Sequence, residues 1–162
     1  MLTSRVSKDV FENWNIYKNY PEFCADWMNQ YPVLFLSLKD VEGRNYNLAY
    51  GKFRILIADL CKKHEYLGSK QEINPFDRDI FLRLQANKAS EDEIQNSLKT
   101  IMRMMNAVYG KPVILLIDEY DVPLAKAHEN GFYQKMLDVI RGFMSTSFKT
   151  NDYLKFAVVT GC

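Results

Sequence analysis

The chain has 162 residues, 25% of them charged, with 21 Lys and Arg against 20 Asp and Glu and a formal net charge of +1. So even a balance leaves no electrostatic footprint for nucleic acid, and the pair Lys62-Lys63 is too short to form a basic stripe. With no signal peptide and no long apolar span, membrane attachment is not expected and the cytoplasm is the default compartment. The length and the 48% hydrophobic content fit one domain, residues 1–162, whose 14% aromatic side chains serve packing first and contact surfaces second. Cys24, Cys61 and Cys162 are odd in number and unclustered, which suggests neither a disulfide framework nor a zinc site. His64 and His128 lack companions at ligand spacing and read as surface or capping residues.

In chain order, residues 1–30 form a lead-in and a short helix, and residues 31–162 an α/β core. Met1 to Lys18 reads as irregular, docking through Val10, Phe11, Trp14 and Ile16. Pro21 suits the first turn of a helix to about Asn29, with Phe23, Cys24 and Trp27 on one face. Tyr31-Pro32 stops it, and Val33 to Leu38 reads as a buried strand. After a loop around Gly43, apolar residues at helical spacing from Leu48 through Phe53, Ile55, Leu56, Ala58, Leu60 and Cys61 predict a long helix to about Glu65. Asn74-Pro75 supplies a cap and a first helical residue for the next helix, which ends near Asn87 with Ile80, Phe81 and Leu84 inward. Ser90 and Glu93 have capping-box spacing, and one helix is expected from there to Tyr109-Gly110, closed by a left-handed Gly. Its Met102, Met104 and Met105 read as core filler.

Val113 to Ile117 shows no polar alternation, as in a strand covered on both faces of a parallel sheet. It runs into Asp118, Glu119 and Asp121, at the carboxyl end where open α/β sheets place their ligands. A loop at Pro123 to Asn130, a helix from Phe132 to Phe148, a turn at Thr150-Asn151-Asp152 and a third buried strand, Phe156 to Val159, complete the chain. The order of elements implies parallel strands joined by right-handed crossovers.

An apolar run followed by Asp-Glu resembles the Walker B element of P-loop proteins. There the Asp reaches a magnesium ion through water, and the Glu faces the space from which a water attacks the terminal phosphate. The same pattern arises where a buried strand surfaces into a solvated loop. Taken with Tyr-Pro-Val-Leu-Phe-Leu-Ser-Leu-Lys-Asp at Tyr31 to Asp40, the Asn96-Ser-Leu-Lys segment, Ile-Asp-Glu-Tyr-Asp-Val-Pro at Ile117 to Pro123 and Val-Val-Thr-Gly at Val158 to Gly161, the chain closely resembles the bacterial AAA-ATPase-like family over nearly its whole length.

The resemblance implies a P-loop NTPase-like three-layer sandwich with a small parallel sheet of three core strands flanked by helices, the Val113 strand in the middle. It implies ATP and magnesium as ligands of the intact family, with Asp118 as the magnesium-side acid, Glu119 as the water-orienting acid and Thr160 in the sensor position. Family members carry a P-loop upstream and a nuclease-like domain downstream, whereas no Gly-x-x-x-x-Gly-Lys-Ser/Thr occurs in these 162 residues. Met1-Leu2 resembles the point just after the P-loop helix and Cys162 the point just after the sensor strand, so a partial domain is expected, with vestigial acids and no bound cofactor of its own. The acids repel one another unless Lys39, Lys126 or another cation pairs with them.

The P-loop strand of the family lies beside the strand ending at Thr160. Without it, Phe156, Ala157, Val158 and Val159 form an edge that is expected to bind a second copy, a partner protein or the chain's own N-terminal segment. Two functions follow as expectations. The first is a non-catalytic interaction module, encoded by a mobile element or phage and inhibiting a larger host assembly such as a defence nuclease. The alternative is a fragment of an ATP-hydrolysing P-loop ATPase. Nuclease and acyl-transfer chemistry lack their motifs.

Overall fold

A computed structural model describes residues 7–161; the expectations on Met1-Leu2 and on Cys162 lie outside the described residues. Three parallel strands, β1 (Val33–Ser37), β2 (Val113–Asp118) and β3 (Leu154–Val159), form one sheet in the order β1-β2-β3. As the sequence implied, the central strand is the apolar run Val113 to Ile117. It is flanked by helices in a mixed α/β fold: α1 (Asn15–Asn19), α2 (Pro21–Trp27), α3 (Tyr46–Lys63), α4 (Pro75–Gln85), α5 (Glu91–Gln95), α6 (Ser97–Tyr109), α7 (Val122–Glu129) and α8 (Tyr133–Phe148).

The two faces of the sheet are unlike. Leu34, Leu36, Val113, Leu115 and Ile117 point into one core cluster with Phe53 and Ile57 of α3, Met102 of α6 and Phe143 of α8. Burial of each such side chain stabilises the fold by about 1.5–3 kcal/mol. On the other face Val33 is 46% exposed, Phe35 55%, Phe156 53% and Val158 39%. The expected cover on both faces of β2 is therefore realised on one face only, and along β2 fully buried residues alternate with half-buried ones; β3, expected as a buried strand, is largely exposed because it lies at the edge of the sheet. The reason is that α6 and α8 pack on the same side of the strands, while the open side is touched at its margin by Trp27 of α2, whose ring lies 6.5 Å from that of Phe156.

Local signals set most helix ends. Asn45 Oδ1 accepts from the Leu48 N–H at 3.0 Å, and Asn74 Oδ1 accepts from the Phe76 N–H at 2.8 Å with Pro75 in the first turn. The capping box is complete: Ser90 Oγ accepts from the Glu93 N–H and Glu93 Oε2 from the Ser90 N–H. Gly110 ends α6 in the left-handed conformation. Met102, Met104 and Met105 are buried in the core.

Four expectations are corrected. Residues 123–130 are not a loop: α7 starts with Pro123 in its first turn and buries Pro123 and Ala127, a stripe too short for periodicity to reveal. The helix after Ser90 is broken at Asn96, whose side-chain Nδ2 donates to the Asp92 carbonyl at 2.9 Å and competes with the backbone ladder. The lead-in contains the single turn of α1. In α3, Leu48 and Ile55 face solvent rather than the core.

Cys24 and Cys61 are free and buried, and burial pushes the Cys61 thiol up to about 12. His64 sits at the C-cap of α3, and His128 meets Tyr133 edge-on. Gly43 packs against the start of α3, where an added Cβ would lie 2.6 Å from the Ala49 nitrogen and 3.0 Å from the Leu48 carbonyl carbon. Both obstacles are backbone and cannot rotate away. Gly43→Ala is expected to destabilise the fold by about 1–3 kcal/mol, read from the urea midpoint; an unchanged midpoint would show that the loop is free to shift.

Candidate functional site

The site lies at the carboxyl end of the sheet because parallel strands all end there. Asp118 closes β2, and its carbonyl accepts from the Leu38 N–H at 2.9 Å. Just past β3, the Thr160 N–H donates to the Ile117 carbonyl at 2.9 Å, and the Thr160 carbonyl accepts from the Tyr120 N–H at 3.2 Å. These backbone bonds hold two side chains together: Thr160 Oγ1 donates to Asp118 Oδ1 at 2.5 Å. Asp118 and Thr160, distant in sequence, thus meet at one point.

Glu119 leaves the strand with φ +53°. A left-handed backbone costs a side-chain-bearing residue about 1–2 kcal/mol, and such strain collects where function over-determines the conformation. Glu119→Gly is accordingly expected to raise stability by about 1 kcal/mol, seen as a higher melting temperature. A lower one would mean that the Glu side chain more than offsets the strain. Asp121 opens α7, its carbonyl accepting from the Leu124 and Ala125 N–H groups. Its carboxylate lies against Gly161, where a Cβ would stand 2.5 Å from Asp121 Oδ1. That closeness explains why glycine follows Thr160.

Ser37 was not anticipated. It ends β1 in register with Asp118, and its hydroxyl is buried without a hydrogen-bond partner among the described residues. The three strand ends therefore present Ser37, Asp118 and Thr160 as one row. The signal in sequence was a single polar residue interrupting the apolar run Val33 to Leu38.

The expected cation partners do not close on the acids: Lys126 Nζ pairs with Glu129 Oε2 at 3.0 Å, and Lys39 is exposed. Among the described residues no group of three or more His, Cys, Asp or Glu could cage a metal. Magnesium, however, keeps several waters and uses one or two carboxylates together with phosphate oxygens. Asp118, with one oxygen fixed by Thr160, fits that role, and the ion when bound would neutralise charge on phosphate oxygens. The residues present do not fit a nucleotide by themselves, since no Gly-rich loop with Lys-Ser/Thr supplies backbone donors for phosphates.

The edge residues Phe156, Val158 and Val159 are exposed and Ala157 is half-buried. No helix among the described residues is long and apolar enough to cross a membrane. No curated protein and no solved structure matches the chain. The family model described as "Predicted AAA-ATPase" matches residues 3–162, which agrees with a strand-borne Asp-Glu at the end of a central parallel strand and a neighbouring strand whose Thr reaches that Asp. The chain belongs to the AAA-ATPase-like family.

Proposed function

We propose that the chain is a protein-interaction module built on an AAA-ATPase-like domain, and that it takes a strand from its partner along the outer edge of β3. The observation that carries this reading is the edge itself. β3 pairs with β2 on one side, its other side has no strand among the described residues, and Phe156, Val158 and Val159 are exposed on it. Unpaired edges of this kind are normally covered, and strand addition supplies both the backbone bonds and the side-chain pockets for recognition. Within the reading, Asp118 and Glu119 are vestigial and the chain alone does not hold ATP. An inhibitor of a larger host assembly such as a defence nuclease, carried by a mobile element, is the specific role we assign to it.

A second reading is favoured by the bond between Thr160 and Asp118. It keeps the metal-side acid of an ATPase oriented, as a fragment of an ATP-hydrolysing P-loop ATPase, with its phosphate-binding part outside these 162 residues, would require.

The two readings are separated by one pair of measurements. Because the Thr160 N–H bonds to β2, alternation along a parallel strand turns the Val159 N–H outward. Val159→Pro therefore removes an outward donor and spares the inner ladder. In the first reading, capture of the partner from host extract weakens at least tenfold with Val159→Pro, while circular dichroism is unchanged and titration with magnesium and ATP shows no binding at micromolar concentration. ATP hydrolysis that appears with the captured partner and disappears with Glu119→Gln would support the second reading and defeat the first.

A further inference from the structure

Asn130-Gly131 is the one place in the sequence where glycine follows asparagine. At such a pair the asparagine side chain is most open to attack by the chain itself, because the residue after it has no Cβ to shield its backbone nitrogen. Both residues are exposed. Asn130 caps the C-terminus of α7, and Gly131 turns the chain toward α8 at φ +77°. Apart from its chain neighbours, no atom lies within 4 Å of the place a Cβ on Gly131 would take. A cyclic imide has room to form there.

The last turn of α7 holds both reacting groups back. The Gly131 N–H donates to the His128 carbonyl at 3.3 Å, and Asn130 Nδ2, the group that would leave, donates to the Lys126 carbonyl at 2.8 Å. The Asn130 backbone is near-helical, with ψ 10°, and the next nitrogen reaches Cγ only after ψ has rotated out of that range. The turn therefore has to open first. Terminal turns of helices open at the least cost in free energy, because their carbonyls have few partners. Below this turn the corner is anchored: the Phe132 N–H donates to the Ala127 carbonyl at 2.9 Å, and Ala127 is wholly buried. Asn96 makes the same capping bond, from Nδ2 to the Asp92 carbonyl at 2.9 Å, but the residue after it, Ser97, is 0% exposed and already begins α6. It is a control built into the same chain.

We propose that Asn130 is a site of spontaneous covalent modification, gated by the last turn of α7. When the turn opens, the Gly131 nitrogen bonds to Asn130 Cγ and the Cγ–Nδ2 bond breaks. The nitrogen leaves as ammonia, taking the Gly131 amide proton with it. Water then opens the imide at either carbonyl, giving aspartate or isoaspartate; in the latter the main chain runs through the side-chain carbons and is longer by one carbon. Neither an oxidant nor a metal is consumed. Both products push the corner between α7 and α8 the same way. The donor to the Lys126 carbonyl is gone, and a new carboxylate stands beside Glu129 at a helix C-terminus, where the partial charge is already negative. The turn that slows the reaction is weakened by it.

The test incubates the full chain at mildly alkaline pH, folded or in urea, and follows the peptides that contain Asn130 and Asn96 by mass spectrometry, which separates acid from amide. Acid is expected to accumulate at Asn130 in the folded chain, about tenfold more slowly than in urea, and at Asn96 in urea alone. Ala127→Gly loosens the turn without touching the reacting atoms and should raise the folded-state rate at Asn130 about threefold or more, with circular dichroism confirming the fold. Asn130→Asp, the product made directly, should speed amide hydrogen exchange across residues 126–132 by about threefold or more. A folded chain that keeps Asn130 intact while the chain in urea converts would overturn the site. Equal rates folded and in urea, or a rate indifferent to Ala127→Gly, would overturn the gate, and unchanged exchange in Asn130→Asp would overturn the weakening of the turn.

Discussion

Asp77→Ala is expected to destabilise the fold by about 3 kcal/mol, the lower end of the range for removing one partner of a buried ion pair. Asp77 is 6% exposed in the first turn of α4. It accepts two hydrogen bonds from Arg103 of α6, one from Nε to Oδ2 at 2.7 Å and one from the terminal guanidinium nitrogen to Oδ1. A planar fork meeting a carboxylate in this way fixes geometry as well as energy. The bond to Asp77 raises the Arg103 pKa, and a guanidinium stays charged in proteins even when its partner is gone. It would then lie in a groove of about 570 Å³ lined by Asp77, Phe76, Ile73 and Met104. Water entering that groove solvates part of the charge, which is why the lower end applies. Urea denaturation measures the loss, and Asp77→Leu combined with Arg103→Met should recover most of it. A single-variant loss below about 1 kcal/mol would place the pair among ordinary surface ion pairs.

Phe53→Ala is expected to destabilise by about 3–5 kcal/mol, as for other aromatic side chains deleted from closed cores. Phe53 is wholly buried on α3 and meets Phe143 of α8 edge-on, with ring centres 5.0 Å apart and planes at 84°. The two rings join helices that are far apart in sequence and share the cluster under β1 and β2. Phe53→Leu fills most of the volume but loses the ring contact, so its own loss contains the aromatic term of about 0.5–1.5 kcal/mol, and the further loss in Phe53→Ala reports the emptied volume. Thermal melts of Phe53→Ala, Phe143→Ala and the double variant would show coupling. Strict additivity would mean that the rings merely fill space.

The three strands were legible because each is an apolar run bounded by turn residues, and their parallel arrangement because helices lie between them; their order came through resemblance to the family. The caps at Asn45, Asn74, Ser90 and Gly110 were equally legible, since each acts within a few residues of itself. What could not be read was the asymmetry of the sheet. Val33, Phe35, Phe156 and Val158 are apolar although exposed, so the alternation that normally separates a solvated face from a buried one is absent from the sequence. At the site, Asp118 and Glu119 were visible as a local pattern, and Thr160 through resemblance to the family. Ser37 and the fit of Gly161 against Asp121 depend on which strand end lies beside which. Only the register of the sheet decides that.

The row Ser37, Asp118, Thr160 draws a single residue from the end of each strand segment. No excised peptide or hairpin can reproduce it, and its geometry exists only after both long crossovers have been laid down. Contacts between such distant segments form slowly because loop closure must precede any gain from pairing. The catalytic-looking end of the molecule thus exists only once both crossovers are in place, and it loses Thr160 if β3 peels away.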